Sequence, residues 1–214
     1  GTAAFITRRD AILNSDFETL LRKDVRIESP EFVSQCYEWL MCWLLKQSVA
    51  QMEEASKIGL DTFTARNNCQ VYRARDLSRA YAEYYALESF RSRCARTDVK
   101  EDLRPVLFRV YLLYGMWCLD RHMTTFYAGS FAKGSQFADS VRGTLLRICG
   151  ELRDSAVAIA DALAPPDWVL NSVIAKSDGR LYENIQSVFM TNPGALERAS
   201  WWKDVIPSKL KSKL

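Results

Sequence analysis

The sequence predicts an all-α protein, an up-down four-helix bundle with extra short helices toward its C-terminal end. Two observations support this fold class. Apolar residues recur every three or four positions through four long segments, which is the spacing of one helix face. The links between these segments are only a few residues long, so successive helices are expected to be antiparallel neighbours. No alternating pattern typical of a strand interrupts them.

The first long helix is predicted to begin at Ser29-Pro30 and to end at Gly59. Serine is a good N-cap, proline suits the first helical turn, and glycine commonly follows the last turn. Residues 1–28 mix charged and apolar side chains without a sustained period. We therefore expect them to form a lead-in segment that packs on the bundle, with at most a short helix over 10–21.

The second helix is predicted from Asp61 to Arg96, a segment without proline or glycine. Its predicted apolar face consists of Val71, Ala74, Leu77, Tyr81, Tyr84, Leu87 and Cys94. Its first turns are basic, and Arg66, Arg73 and Arg75 form a candidate anion site because N–H groups and the dipole at a helix start attract anions. The alternative, which the residues favour, is a solvated or interface-facing surface with local ion pairs.

The third helix is predicted from about Asp102 to Gly129, and the fourth from about Ser135 until Pro165-Pro166 stops it. The predicted apolar face of the fourth helix consists of Val141, Leu145, Ile148, Leu152, Ile159 and Leu163. Shorter helices are expected over residues 167–174, 181–190 and 195–205. The predicted domain therefore spans residues 29–206, and residues 207–214 form a flexible polar tail. The chain opens with Gly1-Thr2 rather than methionine, which suggests a piece of a longer protein.

Composition argues against several classes of function. Apolar residues make up 48% and charged residues 26%, and a net charge of +3 is too small to predict a nucleic-acid partner. No apolar run approaches the roughly 20 residues that span a bilayer. The six cysteines include no CxxC pair and the chain has a single histidine, His122, so free buried thiols are expected instead of a zinc site.

Three local patterns have structural interpretations that we prefer. His122 and Asp120 are two residues apart and face different sides of a helix, so His122 is expected to be a packed or capping residue. Residues 129–135 resemble a phosphate-binding loop, but no lysine follows the second glycine and a helix precedes it, which favours an interhelical link. In residues 178–184, Asp178 and Gly179 suit a helix start, and Tyr182 with Asn184 could dock that helix on the bundle.

The chain ends in Ser212-Lys213-Leu214, the peroxisomal targeting signal read at the extreme C-terminus. A free carboxylate, a leucine and a lysine on a flexible arm can enter a receptor pocket that captures chain termini. We therefore expect the peroxisomal import receptor as a partner and the peroxisome matrix as the location.

Three segments and this tail together resemble the C-terminal domain of peroxisomal acyl-CoA oxidases, most closely the branched-chain, pristanoyl-CoA type. They are ARNNCQV (65–71), APPDWVLNSVIAKSDGRLYENI (164–185), LERASWW (196–202) and KLKSKL (209–214). The resemblance runs in order from about Glu31 to Leu214. It implies the C-terminal fold of an acyl-CoA-dehydrogenase-like protein, and a parent enzyme that uses FAD to desaturate fatty acyl-CoA and passes the electrons to oxygen. It also implies a homodimer and an upstream flavin domain as partners.

The resemblance further implies that the chemistry lies outside this chain. The general base of the family is a glutamate in a Glu-Gly motif, and no Glu-Gly pair occurs here. The segments that hold most of the flavin and the CoA precede this region. We therefore predict no catalytic residue, no metal ligand and no defined cofactor contact, so that the fragment alone is inactive. The alternative hypothesis is a stand-alone peroxisomal helical scaffold without enzymatic activity.

Overall fold

The computed structural model describes residues 3–205, and within that range all regular secondary structure is helical. The chain divides into two compact units, Gly1–Asp154 and Ser155–Leu214. The α-helices of the first unit are α1 (Arg9–Leu13), α2 (Phe17–Arg22), α3 (Pro30–Lys57), α4 (Thr62–Cys69), α5 (Arg75–Cys94), α6 (Arg104–Arg121), α7 (Met123–Ala128) and α8 (Gln136–Leu152). Those of the second are α9 (Ala156–Leu163), α10 (Asp167–Leu170) and α11 (Leu181–Thr191). The predicted all-α class is confirmed.

Helix α3 is the centre of the first unit and follows its predicted limits. The Ser29 hydroxyl accepts a hydrogen bond from the Phe32 backbone N–H at 3.1 Å, and Pro30 occupies the first turn. Beyond the last turn, Gly59 has a φ of 76°, which few residues other than glycine adopt. The buried side chains of α3 are Phe32, Val33, Cys36, Tyr37, Trp39, Leu40, Met41, Cys42, Leu44, Ser48 and Ala55.

The lead-in packs on the bundle as predicted, and it contains more helix than expected. The Asp16 carboxylate caps α2 by accepting a hydrogen bond from the Thr19 N–H at 2.8 Å. Phe17 lies edge-on to Phe137 of α8, with ring centroids 5.1 Å apart, and is 3% exposed. An edge-to-face contact of two buried rings is favourable beyond the area it buries. Within the described part of the lead-in, Phe5, Phe17, Leu20 and Val25 therefore belong to the core of the first unit.

The predicted helix from Asp61 to Arg96 is not a single regular helix. Its path is α4, then a π-helical stretch over Gln70–Ala74, then α5. Tyr84 and Leu87 are buried as predicted, but Val71 is 52% and Tyr81 43% exposed. The predicted face advanced mostly by three residues per step, short of 3.6, so it drifts around the helix and its first part leaves the core side.

Helices α6 and α8 complete the bundle, with α7 as a short continuation of α6. Pro105 lies in the first turn of α6, and Val141, Ile148 and Leu152 of α8 are buried as predicted. The predicted fourth helix is nevertheless interrupted, because residues Arg153–Ser155 form a 3-10 turn before α9 begins. Leu163, predicted to lie on the apolar face, is 77% exposed.

The second unit has short helices and no buried core among its described residues. Helices α10 and α11 lie where short helices were predicted, but residues 195–205 form turns and no helix, so that prediction was wrong. A segment this short is marginal as a helix unless an apolar face is packed against something.

The cysteines are all free, as predicted, but not all are buried. Cys36, Cys42, Cys69 and Cys118 are buried, Cys94 is half-buried and Cys149 is exposed. The expectation of a buried thiol is therefore wrong for Cys149, which follows the buried Ile148 and lies on the solvent face of α8.

Candidate functional site

The three arginines of the candidate anion site lie on the exposed side of the α4–α5 path. Arg66 belongs to α4, Arg73 to the π-helical stretch and Arg75 to the first turn of α5, and all three are exposed. The Arg75 guanidinium pairs with the Asp76 carboxylate at 3.0 Å. This is the local ion pair that the alternative interpretation required.

The argument from a helix start does not hold for this cluster. At the start of α4 the Asp61 carboxylate accepts the Phe63 N–H at 2.9 Å and the Thr64 N–H at 3.0 Å. The Thr64 hydroxyl also donates to this carboxylate, at 2.6 Å, and that bond, together with the two backbone hydrogen bonds, holds the pKa of Asp61 below its usual value. Arg73 and Arg75 do not lie at a free helix start, because the backbone at Ala74 is also helical and the helical path is continuous there. The Phe63 and Thr64 N–H groups at the start of α4 are thus already bound by the Asp61 carboxylate.

The arginines are interleaved with exposed aromatic rings. Phe63 is 76% and Tyr72 is 72% exposed, and Val71 lies between Tyr72 and Gln70. Tyrosine, phenylalanine and arginine are enriched at protein interfaces, and exposed rings beside an arginine match that composition. On the opposite side α4 is held to α3, where the Gln51 side-chain amide donates to the Asn68 carbonyl at 3.2 Å.

The only histidine of the sequence lies inside the bundle. His122 ends α6, is 6% exposed, and its Nε2 lies 2.7 Å from Oε2 of Glu83 on α5. The Tyr37 hydroxyl of α3 donates to the same carboxylate oxygen at 3.0 Å. The prediction of a packed or capping histidine is confirmed, and Asp120 points elsewhere, to Arg142 at 2.7 Å.

The electrostatics of this buried cluster follow from burial and from these contacts. Burial raises the pKa of Glu83, but the hydrogen bond and charge of His122 and the hydrogen bond from Tyr37 outweigh it, so the net pKa is below the usual value. Burial, with Cys118 and the Glu83 carboxylate nearby, raises the pKa of Tyr37. Because the carboxylate is already paired inside the bundle, it is a structural group and a poor general base.

Sequence reasoning did not find Glu83 as the partner of His122. The two residues are 39 positions apart, so no local spacing connects them. One signal was present: Glu83 lies beside Tyr84 and three residues after Ala80, on the face of α5 that enters the core. A carboxylate on a buried face needs a partner, and the histidine was the strongest candidate on a neighbouring helix.

The two remaining patterns also have structural roles. Residues 129–135 link α7 to α8, as predicted, and a Cβ at Gly129 would lie 2.3 Å from Cη2 of Trp39. Asp178 accepts the Arg180 N–H and the Asn184 amide, each at 2.9 Å, near the start of α11. Tyr182 is 84% exposed in the second unit, and its docking of that helix on the bundle stays a prediction.

Two further classes of site are absent from the described part of the chain. Residues 3–205 contain no group of three or more histidine, cysteine or acidic side chains that could hold a metal ion. Within the same range, no helix combines the length and the hydropathy needed to cross a bilayer. Ser212, Lys213 and Leu214 lie outside the described residues.

Comparison with known proteins gives consistent matches. The family model described as Acyl-CoA oxidase matches residues 29–211. Human peroxisomal acyl-coenzyme A oxidase 3 is 38% identical over an alignment of 183 residues, and the match covers 83% of this chain and 26% of that protein. The chain thus spans about a quarter of the length of this relative.

Solved structures show the same fold at lower identity. Acyl-CoA oxidase 1 of Arabidopsis thaliana has a TM-score of 0.81 at 17% identity, and the match covers 100% of this chain and 32% of that one. Acyl-CoA oxidase-2 of Caenorhabditis elegans, solved with FAD, ascaroside-CoA and ATP, has a TM-score of 0.72 at 23% identity, covering 87% of this chain and 28% of that one. From the family match and the human relative together, this chain belongs to the acyl-CoA oxidase family.

Proposed function

We propose that this chain is the C-terminal helical domain of a peroxisomal, FAD-dependent acyl-CoA oxidase. In that enzyme, acyl-CoA and O2 would give trans-2-enoyl-CoA and H2O2, the first step of peroxisomal fatty-acid β-oxidation. The observation that carries the proposal is the family match over residues 29–211 in a chain that spans only about a quarter of the human relative.

The role of this domain is to support the flavin domain and the dimer, and it has no catalytic residue of its own. The Glu83 carboxylate and the His122 imidazole are buried, and they are paired with each other inside the bundle. A base for the α-proton of acyl-CoA must reach the substrate, which this pair cannot do without breaking the core. This pair therefore does not supply the base of a flavin reaction centre, and we assign that base and most of the FAD contacts to the rest of the protein.

An activity measurement tests this division of labour. Purified chain 1–214 should neither bind FAD stoichiometrically nor release peroxide from acyl-CoA, whereas the complete polypeptide that contains it should do both. Peroxide release by the 214-residue chain would refute the inactive role. Failure of the complete polypeptide to oxidise any acyl-CoA would refute the oxidase assignment.

Peroxisomal localisation is a separate part of the proposal. It rests on the similarity to a human oxidase that is named as peroxisomal and on the terminal Ser212-Lys213-Leu214. The last dozen residues, fused to the C-terminus of a fluorescent protein, should direct it to peroxisomes. The matched control ends in Ser-Lys-Lys in place of Ser-Lys-Leu and should remain in the cytosol. A cytosolic fusion with the native end would contradict the proposed signal.

A further inference from the structure

The second unit, described here over residues 155–205, exposes an unusual amount of apolar surface. None of these residues is buried, although the segment is rich in large apolar side chains. The exposed ones are Val157, Leu163, Trp168, Val169, Leu170, Ile174, Leu181, Tyr182, Val188, Phe189, Met190, Leu196, Trp201 and Val205. Soluble proteins rarely leave such a concentration of apolar groups in water unless a partner covers it.

Helix α9 is the clearest single element. Its sequence, AVAIADAL, has one charged residue, Asp161, and is otherwise apolar on every side. A helix that is apolar all round is normally buried. Val157 is nevertheless 74% and Leu163 77% exposed. This helix therefore lacks the surface against which its sequence is suited to pack.

Helix α11 has a defined apolar stripe. At about 100° per residue, Leu181, Tyr182, Ile185, Val188 and Phe189 fall on one side, and Glu183 and Ser187 fall on the other. Tyr182 is 84% and Phe189 66% exposed, so the edge of the stripe that carries the two rings is uncovered. The stripe contains no charged residue, and an apolar surface of this kind fits a permanent interface better than a transient one.

We propose that α9 and α11 form a docking surface for the remaining part of the same oxidase polypeptide, and that residues 155–205 become stably folded on that contact. This inference rests on the proposed function and names the segment that carries the domain contact. The occupant follows from two findings. Relatives are three to four times as long as this chain, and the match to the Arabidopsis enzyme, a chain about three times as long, covers 100% of this chain, α9 to α11 included.

Hydrogen exchange followed by mass spectrometry tests the proposal on two proteins, chain 1–214 and the complete polypeptide. In chain 1–214, amides of residues 155–205 should exchange much faster than those of α3, since unburied helices open readily. In the complete polypeptide, exchange of the same residues should be at least about tenfold slower. Equal exchange in the two proteins would overturn the proposal. Protection in chain 1–214 that rises with its concentration would overturn it in favour of a second copy as the occupant.

Variants locate the surface. In the complete polypeptide, the double variant Tyr182→Ser with Phe189→Ser should raise the exchange of residues 155–205 to the rate in chain 1–214. In chain 1–214 itself, the same double variant should leave the exchange rates unchanged. Leu163→Ser is a milder second variant on α9, expected to act in the same direction. The matched control, Glu183→Gln with Ser187→Ala on the polar side of α11, should exchange like the wild type. Wild-type exchange in both the α11 double variant and the α9 variant would refute the docking surface.

Peroxide release by the wild-type complete polypeptide separates this inference from the proposed function. An active enzyme whose residues 155–205 remain unprotected would refute the docking surface and leave the oxidase assignment intact. An inactive polypeptide in which the same residues are protected would refute the oxidase assignment and leave the docking surface intact.

Discussion

Glu83 and His122 form a buried pair, with 2.7 Å between Oε2 and Nε2, that joins α5 to the end of α6. Tyr37 brings α3 into the same contact, so one carboxylate connects three helices of the bundle. Two ionisable residues at 8% and 6% exposure have lost most of their hydration and depend on each other for compensation. Such a pair fixes how helices fit together, and removing one partner costs more than the pair contributes.

The first prediction concerns the removal of one partner of this pair. Glu83→Ala leaves His122 and the Tyr37 hydroxyl without their acceptor in the core. The free energy of unfolding of chain 1–214 should fall by about 3–5 kcal/mol. Denaturant titration followed by circular dichroism measures it. Arg153→Gln, at a pair whose side chains are 81% and 85% exposed, is the control and should leave the midpoint unchanged. If Glu83→Ala also left the midpoint unchanged, a structural role for the Glu83–His122 pair would be contradicted.

The second prediction is a pH dependence with a defined sign. The pKa of Glu83 in the folded chain is below its reference of 4.5, so as the pH falls the unfolded state takes up the proton first. The stabilisation is therefore complete above about pH 4.5 and is lost as the pH falls through the folded-state pKa. The difference in unfolding free energy between the wild type and Glu83→Gln should shrink over that range, since other carboxylates contribute equally to both proteins. A difference that stays constant down to pH 3 would contradict the pKa assignment.

The third prediction tests a close approach behind the α7–α8 link. A Cβ at Gly129 would lie 2.3 Å from Trp39 and 2.9 Å from Trp43, whose stacked rings cannot both give way. Gly129→Ala should therefore destabilise the chain by about 1–3 kcal/mol through overpacking. Gly143→Ala in α8 is the matched control: nothing lies within 4 Å of its added Cβ, and it should stabilise by roughly 0.5–1 kcal/mol. Equal melting temperatures for the two variants would contradict this packing.

Local signals predicted much of this fold, and two of the misses concern contacts that a local pattern does not specify. Ser29-Pro30 and Gly59 act within one turn of their own positions, so they could be placed from the sequence alone. The partner of His122 depends on a tertiary contact 39 residues away, which no periodicity encodes. Leu163 follows a helical pattern but is 77% exposed, because a period of apolar residues gives the face of a helix and not whether another surface covers that face.

The last prediction concerns Arg66, Arg73 and Arg75, for which the local ion pair to Asp76 and the neighbouring exposed rings favour a domain or subunit contact. Replacing all three with Gln removes exposed charges, so the stability of chain 1–214 should change by less than about 0.5 kcal/mol. In the complete polypeptide the same change should weaken the dimer, because interface arginines often carry much of the binding energy. Analytical ultracentrifugation should then show that the variant dimer dissociates at a higher protein concentration than the wild type. The anion hypothesis predicts a different result: the triple variant would lose any measured nucleotide binding while its dimer dissociation stayed the same. An unchanged nucleotide affinity would exclude the arginines as an anion site, and an unchanged dimer would exclude them from the subunit contact. Arg153→Gln again serves as the control, since it removes an exposed guanidinium outside the cluster and should affect neither measurement.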